Sequence, residues 1–369
     1  MKAQKKSIAT LAVMVLLIAG LSLWCWLKPQ TAYSDSERRT LAKFPGLELS
    51  EVLSGDFMSD FETYTQDQFP LRDLFRRIKA YAVLGAFRQK DNGDLYIADG
   101  YVSKLEFSLD LKMLDYTGSK FRFIYDTYLK GTDAKPYLSI IPDKNYFLAP
   151  QNGYPVMDYD KLVSYMKETM DYAEYIDIFP LLSLEDYYHT DTHWRQEAIL
   201  DVAEKLAQGM NAQLTDTKYT VNTLQNPFYG VYYGQSALPL DPDTLQYLTS
   251  KTLEGCIVTS YNTGAPVQKE VYDLKAGSGR DPYELFMAGS DALLVVENPN
   301  AKTDKELVLF RDSFGSSLSP LLVSAYAKIT IVDIRYIPSK DIGSYVEFTD
   351  QDVLFLYSSM LLNASSAFK

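Results

Sequence analysis

The chain has two histidines, His189 and His193, and both fall in the stretch Tyr187-Tyr188-His189-Thr190-Asp191-Thr192-His193-Trp194. Any mechanism that needs an imidazole near neutral pH must use one of them, because no other unperturbed side chain titrates there. In an extended segment His189, Asp191 and His193 would share one face, with a carboxylate between two imidazoles. That face suits a zinc or iron ion. It equally suits an Asp-x-His pair in which the carboxylate orients a general base for a serine elsewhere. A set of surface polar residues ahead of a helix is the plain alternative. Ile199, Val202, Ala203 and Leu206 lie at helical spacing and Gly209 is a stop signal, so a helix is expected to start close to His193. The positive end of such a helix would favour the neutral ring that a base requires, while Asp191 would stabilise the charged ring during turnover.

The serine must come from elsewhere, and the C-terminal third supplies one. Residues 307–310 (LVLF) read as a buried strand, Arg311-Asp312-Ser313-Phe314-Gly315 as a loop, and a helix is expected from near Pro320. Residues 329–334 and 353–357 read as further strands. A strand, helix and strand in series make a right-handed crossover of a parallel sheet. Ligands bind beyond the carboxyl ends of such strands, where Ser313, Arg335 and Tyr357 fall. Ser313 can attack, Arg335 is a permanent donor to a developing oxyanion, and Tyr357 could orient an acyl group. Each has an ordinary reading too: a helix cap, an ion pair with Asp333 or Asp341, and one core tyrosine among 29.

The rest of the chain must position these groups. At 369 residues and 47% hydrophobic, it can bury one large or two modest cores. Residues 8–27 are apolar and uncharged, long enough to cross a bilayer, and follow Lys2, Lys5 and Lys6. The flanking lysines place the N-terminus inside and the remainder outside. No small-x-small cleavage pattern follows the apolar run, so an uncleaved single-pass anchor in the cell membrane is expected, with Trp24 and Trp26 at its outer interface. Cys256 is then the only extracytoplasmic thiol, and no disulfide is expected. Net charge is −12, although residues 1–28 hold four lysines and no acid. That balance argues against nucleic acid as partner and suits a neutral substrate better than a polyanion.

Residues 1–28 thus form a cytoplasmic tip and anchor, and residues 29–90 a tether and helical arm divided by Pro70. Residues 91–369 form the catalytic domain, with a turn-rich insertion around 211–305. A hairpin is expected around Leu95-Tyr96-Ile97, a helix over 111–130, and strands at 136–142, 175–178 and 293–296.

Thr190-Asp191-Thr192-His193-Trp194, Asp312-Ser313-Phe314 and Asp333-Ile334-Arg335-Tyr336 together resemble the motifs of the DHHW family. The resemblance extends to Glu37-Arg38-Arg39, Phe44-Pro45, Gln66 to Asp73, Pro142-Asp143-Lys144 and Asp281 to Phe286. Thr192 stands where that family has its first histidine, and Arg311 where a Gly-Asp-Ser block has glycine. The family is similar to proteins that O-acetylate alginate. The resemblance implies an SGNH-hydrolase-like, flavodoxin-like α/β fold: a parallel sheet with helices on both faces and permuted motif order, Asp191 and His193 preceding the serine. It further implies Ser313 as nucleophile, His193 as base and Asp191 as its orienter, with Arg335, Tyr357 and Trp194 as oxyanion or substrate contacts. No metal or cofactor is expected. The implied activity is acetyl transfer to a cell-surface polysaccharide, with a multispanning membrane acyltransferase as partner. An acetylesterase, or a non-catalytic glycan-binding scaffold protein, would use the same cleft.

Overall fold

The computed structural model describes residues 2–216, 218–262, 265–287 and 289–369. The chain forms two compact units, Met1–Gly93 with Tyr233–Pro239, and Asp94–Tyr232 with Leu240–Lys369.

In the first unit α1 (Lys2–Leu27) contains a 22-residue segment, Lys6–Leu27, long and apolar enough to cross a membrane, with mean hydropathy 2.4. Helices α2 (Asp56–Asp67) and α3 (Arg72–Ala80) follow. Pro70 falls between them, as the sequence pattern requires, because its ring cannot continue a helix. Trp26 at the end of α1 packs against Phe44 and Phe61, with ring centroids 6.5 and 6.2 Å away. A buried and a half-buried acid organise the arm. Asp67 accepts the Ala42 N–H at 2.9 Å and pairs with Arg39, while Glu37 pairs with Arg72 and Arg76.

The second unit is built on an eight-stranded sheet. Its strands are β1 (Lys135–Ile141), β2 (Glu174–Tyr175), β3 (Ile257–Ser260), β4 (Val267–Lys269), β5 (Leu293–Glu297), β6 (Glu306–Arg311), β7 (Lys328–Val332) and β8 (Asp352–Ser358). They lie in the order β4-β3-β5-β7-β6-β8-β1-β2. Every pairing from β7 to β2 is parallel, and those among β4, β3, β5 and β7 are antiparallel. The central strands are continuous apolar runs because both faces are covered. Leu307, Leu309, Leu354 and Leu356 share one core with α7 (Leu200–Gly209) and α8 (Ser313–Leu322). Val308, Phe310, Val353 and Phe355 share the other with α4 (Leu111–Ile124) and α6 (Tyr159–Thr169). A further helix, α5 (Lys144–Asn152), starts beyond the carboxyl end of β1. At roughly 1.5–3 kcal/mol for each large apolar side chain fully buried, these two layers dominate the stability of the unit.

The expected hairpin is present as Leu95–Ala98 against Tyr101–Lys104, turning at Asp99-Gly100. Three expectations are corrected. Helix α8 starts at Ser313, not near Pro320, because the Asp312 side chain caps it by accepting the Phe314 N–H at 3.0 Å. Helix α7 starts at Leu200, so His193 does not sit at its positive end. Between them the backbone is spent otherwise: Trp194 bridges Tyr187, and a 3₁₀ turn spans Gln196–Ala198. The buried Gln196 side chain there accepts from Leu248 N and donates to the Ser317 carbonyl, both at 2.7 Å. Finally, residues 211–305 are not only an insertion, since β3, β4 and β5 of the main sheet come from them.

Candidate active site

Strand β6 delivers its chain to the carboxyl edge of the sheet, and the turn into α8 is held on both sides. Asp312 caps α8 through one oxygen and accepts the Ser358 N–H at 2.8 Å through the other, tying the ends of β6 and β8 together. Arg311 packs beneath the first turn of α8. A Cβ at Gly315 would lie 2.6 Å from the Cβ of Arg311, so only glycine permits that approach. Ser313 is therefore the first residue of a helix set tightly on the strand that precedes it.

The histidine segment docks on the same helix. Trp194 is fully buried and its indole N–H donates to the Phe314 carbonyl at 3.1 Å and to Ser317 Oγ at 2.9 Å. This places His193 Nε2 2.7 Å from Ser313 Oγ. On its other side His193 Nδ1 lies 2.6 Å from Asp191 Oδ1, which also accepts the His193 N–H at 3.1 Å. Asp191 Oδ2 accepts the Val231 N–H at 2.8 Å. A carboxylate can only accept, so Nδ1 carries the proton and Nε2 is left to receive one from Ser313. The ring of Tyr283 stacks on His193 at 3.8 Å and 8°, and its hydroxyl bonds to Ser317 Oγ at 2.7 Å. The imidazole is fixed in plane, in tautomer and in depth.

A second set of contacts holds the loop before Asp191. Asp243 accepts the His189 N–H, the Thr190 N–H and the Thr190 hydroxyl, at 2.8, 2.8 and 2.6 Å. Lys144 Nζ donates to the carbonyls of Tyr188 and His189, at 2.9 and 3.2 Å. Burial pushes the Lys144 amine down to about 7, against the opposing pull of Asp191, Asp243 and Asp143. Gly230 passes so close to this loop that a Cβ would lie 2.3 Å from Asp191 N.

A cleft of about 240 Å³ opens over Ser313, lined by His193, Tyr283, Ser290, Ser316 and Arg335 among others. Arg335 reaches it with a fixed guanidinium: its Nε and Nη2 bond to Asp333 at 2.9 and 2.6 Å. Burial works against this charge, but Asp333 holds it on, above the ordinary arginine value. Arg311, where the family pattern has glycine, also contacts Asp333 at 3.2 Å and donates to the Gly289 carbonyl at the cleft wall. A larger groove of about 590 Å³ runs beside α7, lined by Ala203, Glu204, Ala207 and Tyr219 among others, with no base–nucleophile pair among the described residues that line it.

Of the residues singled out in the sequence, Asp191, His193, Ser313 and Arg335 converge, and three others do not. Tyr357 does not line the cleft. It lies on the opposite face of β8, packed on Phe121 and Phe368 at 5.2 and 5.3 Å, because side chains alternate along a strand. Trp194 does not line it either and serves as the internal pin described above. His189 stacks on Tyr101 at 4.2 Å and pairs with Asp243 at 3.0 Å. Among the described residues no group of three His, Cys, Asp or Glu side chains is placed to hold a metal ion. Sequence spacing gave no sign of Tyr283, Ser316, Asp243 or Val231. Lys144 and Tyr283 were visible only as members of longer matched blocks.

No family model and no curated protein sequence matches the chain. Solved structures do. The O-acetyltransferase domain of Pseudomonas putida AlgJ aligns over 73% of this chain and 92% of its own, at 13% identity and a TM-score of 0.44. Bacillus cereus PatB1, solved with a sulfonyl adduct, aligns over 73% of this chain and 95% of its own, at 19% identity and a TM-score of 0.59. A DHHW family protein from Eubacterium siraeum gives the same identity and TM-score over 74% and 92%. The α/β architecture expected from the motifs is thus shared with PatB1 and the DHHW family protein, to which this chain is similar by fold.

Proposed function

We propose that the chain is an extracytoplasmic enzyme that transfers acetyl groups to a cell-surface polysaccharide through an acetyl-serine intermediate. The observation that carries this reading is the continuous relay from Asp191 through His193 to Ser313, with contacts of 2.6 and 2.7 Å. Ser313 Oγ attacks the acetyl carbonyl while its proton passes to His193 Nε2, and the imidazolium is stabilised by Asp191. The departing group takes that proton. A sugar hydroxyl, deprotonated by the same imidazole, then attacks the acetyl-serine and regenerates Ser313. The sequence motifs supply the choice of acetyl as the group transferred and of polysaccharide as the acceptor.

Asp281 and Glu284 stand on the cleft wall, so an uncharged sugar suits the site better than a uronate. The segment Lys6–Leu27 would anchor the chain, and a multispanning membrane acyltransferase would be the source of acetyl.

The test is intact mass after exposure to a reactive acetyl ester, run on the wild type, Ser313→Ala and His193→Ala. One added acetyl that maps to Ser313 and requires His193 is expected. A sulfonyl fluoride should label Ser313 under the same dependence. If the folded wild type gains no acetyl and releases no product, the cleft is a glycan-binding or scaffolding surface and the catalytic reading fails.

A further inference from the structure

The relay accounts for the attacking oxygen but leaves the carbonyl oxygen without a partner. Several buried polar atoms have no hydrogen-bond partner among the described residues, Arg311 Nε, Tyr188 Oη, Tyr357 Oη and Ser316 Oγ among them, and only Ser316 also lines the cleft. Ser316 is 2% exposed. Its neighbours on α8 are not orphaned in this way. Ser317 Oγ bonds to Trp194 and Tyr283, and Ser319 Oγ donates to the Gly315 carbonyl at 2.5 Å. Native proteins seldom bury a hydroxyl with nothing to bond, so one kept beside a nucleophile needs a reason.

We propose that the Ser316 hydroxyl, together with the backbone N–H of Ser313, forms the oxyanion hole of this site. The proposal rests on the acyl-enzyme reading above. Ser316 follows Ser313 by three residues on one helix, so the two lie on one face, and helical side chains lean toward the N-terminus, bringing the Ser316 hydroxyl toward Ser313. The N–H of Ser313 is among the first-turn donors for which a helix has no internal acceptor, at the end where negative charge is favoured. As Ser313 Oγ bonds to the acetyl carbon, the carbonyl π pair moves onto oxygen and the serine proton moves to His193. The new oxyanion then accepts from both donors. Its collapse expels the leaving alkoxide, which takes the proton from His193. Arg335 commits Nε and Nη2 to Asp333 and presents its charge to the same cleft, so it stands beside this pair of donors rather than in place of them.

The experiment measures release of 4-nitrophenol from 4-nitrophenyl acetate by the full-length protein in detergent, for wild type, Ser316→Ala, Ser316→Thr and Ser313→Ala. Ser316→Ala should lower kcat about 100-fold with KM changed less than about threefold, the signature of one lost oxyanion donor. Its Tm should not fall, because the hydroxyl removed has no partner in the resting protein. Ser316→Thr keeps a hydroxyl and should recover most of the rate. If Ser316→Ala retains kcat within about threefold of wild type while Ser313→Ala abolishes release, the proposal is overturned and the acyl-enzyme reading stands. An early-melting Ser316→Ala with wild-type kcat at lower temperature marks a structural residue and overturns it too. Release unaffected by Ser313→Ala overturns both.

Discussion

His193 with Asp191 and His189 with Asp243 are both imidazole–carboxylate pairs, their Nδ1–oxygen distances 2.6 and 3.0 Å, four residues apart on one loop. The carboxylate is buried in each. The imidazoles differ: the His193 side chain is 11% exposed and that of His189 is 55% exposed. They differ also in what lies beyond the ring. His193 Nε2 meets the serine at the end of β6, whereas the His189 ring lies on Tyr101. Asp191 spends its oxygens on His193 and one neighbouring N–H, while Asp243 holds the backbone and hydroxyl of the loop itself. Pairing with a carboxylate does not by itself make a base. His193 alone also meets a serine brought up by a distant strand, and the second pair holds the loop that carries the first.

The largest effect that would separate the pairs is on turnover. Asp191→Asn keeps the shape but lets the histidine adopt the wrong tautomer, so kcat for acetyl release should fall by about 10⁴ with folding intact. A loss of less than about tenfold would mean that Asp191 is a structural residue like Asp243. The converse substitution, Asp243→Ala, should act first on stability. It leaves the buried N–H of Thr190 without an acceptor, at about 1–3 kcal/mol, and the part-buried N–H of His189 too, and should lower the urea midpoint clearly. Activity should fall less than in Asp191→Asn when both are assayed well below their melting temperatures.

Lys144 touches the same comparison, because it faces Asp191, Asp243 and Asp143 while bonding the carbonyls between them. Its amine is held down to about 7, so below that pH the fold bears the full cost of a buried charge. Between about pH 7 and pH 10 the unfolded chain binds a proton that the native state does not, and stability contributed at this site rises with pH. Urea unfolding of wild type and Lys144→Met at pH 7 and 9 tests this. The stability difference between them should move in favour of wild type by at most about 1.4 kcal/mol per pH unit, and curves that stay parallel would refute it.

Which of these features the sequence displayed follows from how local each one is. The strands at 307–310 and 353–357 were legible because a doubly covered strand is an unbroken apolar run, and Ser313 followed from its place at a strand end. The side of the strand was not legible in the same way. Tyr357 sits at the correct end of β8 and on the wrong face, a distinction of one residue in register. Helix α7 was expected too early because the apolar spacing from Ile199 is genuine, while the bonds that hold residues 194–198 out of it come from Gln196 to α8 and to residue 248. The roles of Tyr283, Asp243 and Ser316 were invisible for a related reason. Stacking on His193, holding a loop and lacking a partner are relations between segments, and no spacing within one segment encodes them.

The smallest effect belongs to His189, and it is the most demanding test of the comparison. If the distinction between the pairs is correct, His189→Ala removes an exposed ring, its stacking on Tyr101 and one bond to Asp243. The backbone bonds from His189 N and Thr190 N to Asp243 survive, since they do not involve the side chain. Exposed contacts of this kind are worth within about 1 kcal/mol, so Tm should move by only a few degrees and kcat by less than about threefold. The acid limb of the pH–rate profile should also stay where it is in wild type, since the His189 ring lies outside the relay from Asp191 through His193 to Ser313. A displaced limb, or a loss approaching that of His193→Ala, would mean that the two imidazoles act together and that the second pair is part of the chemistry.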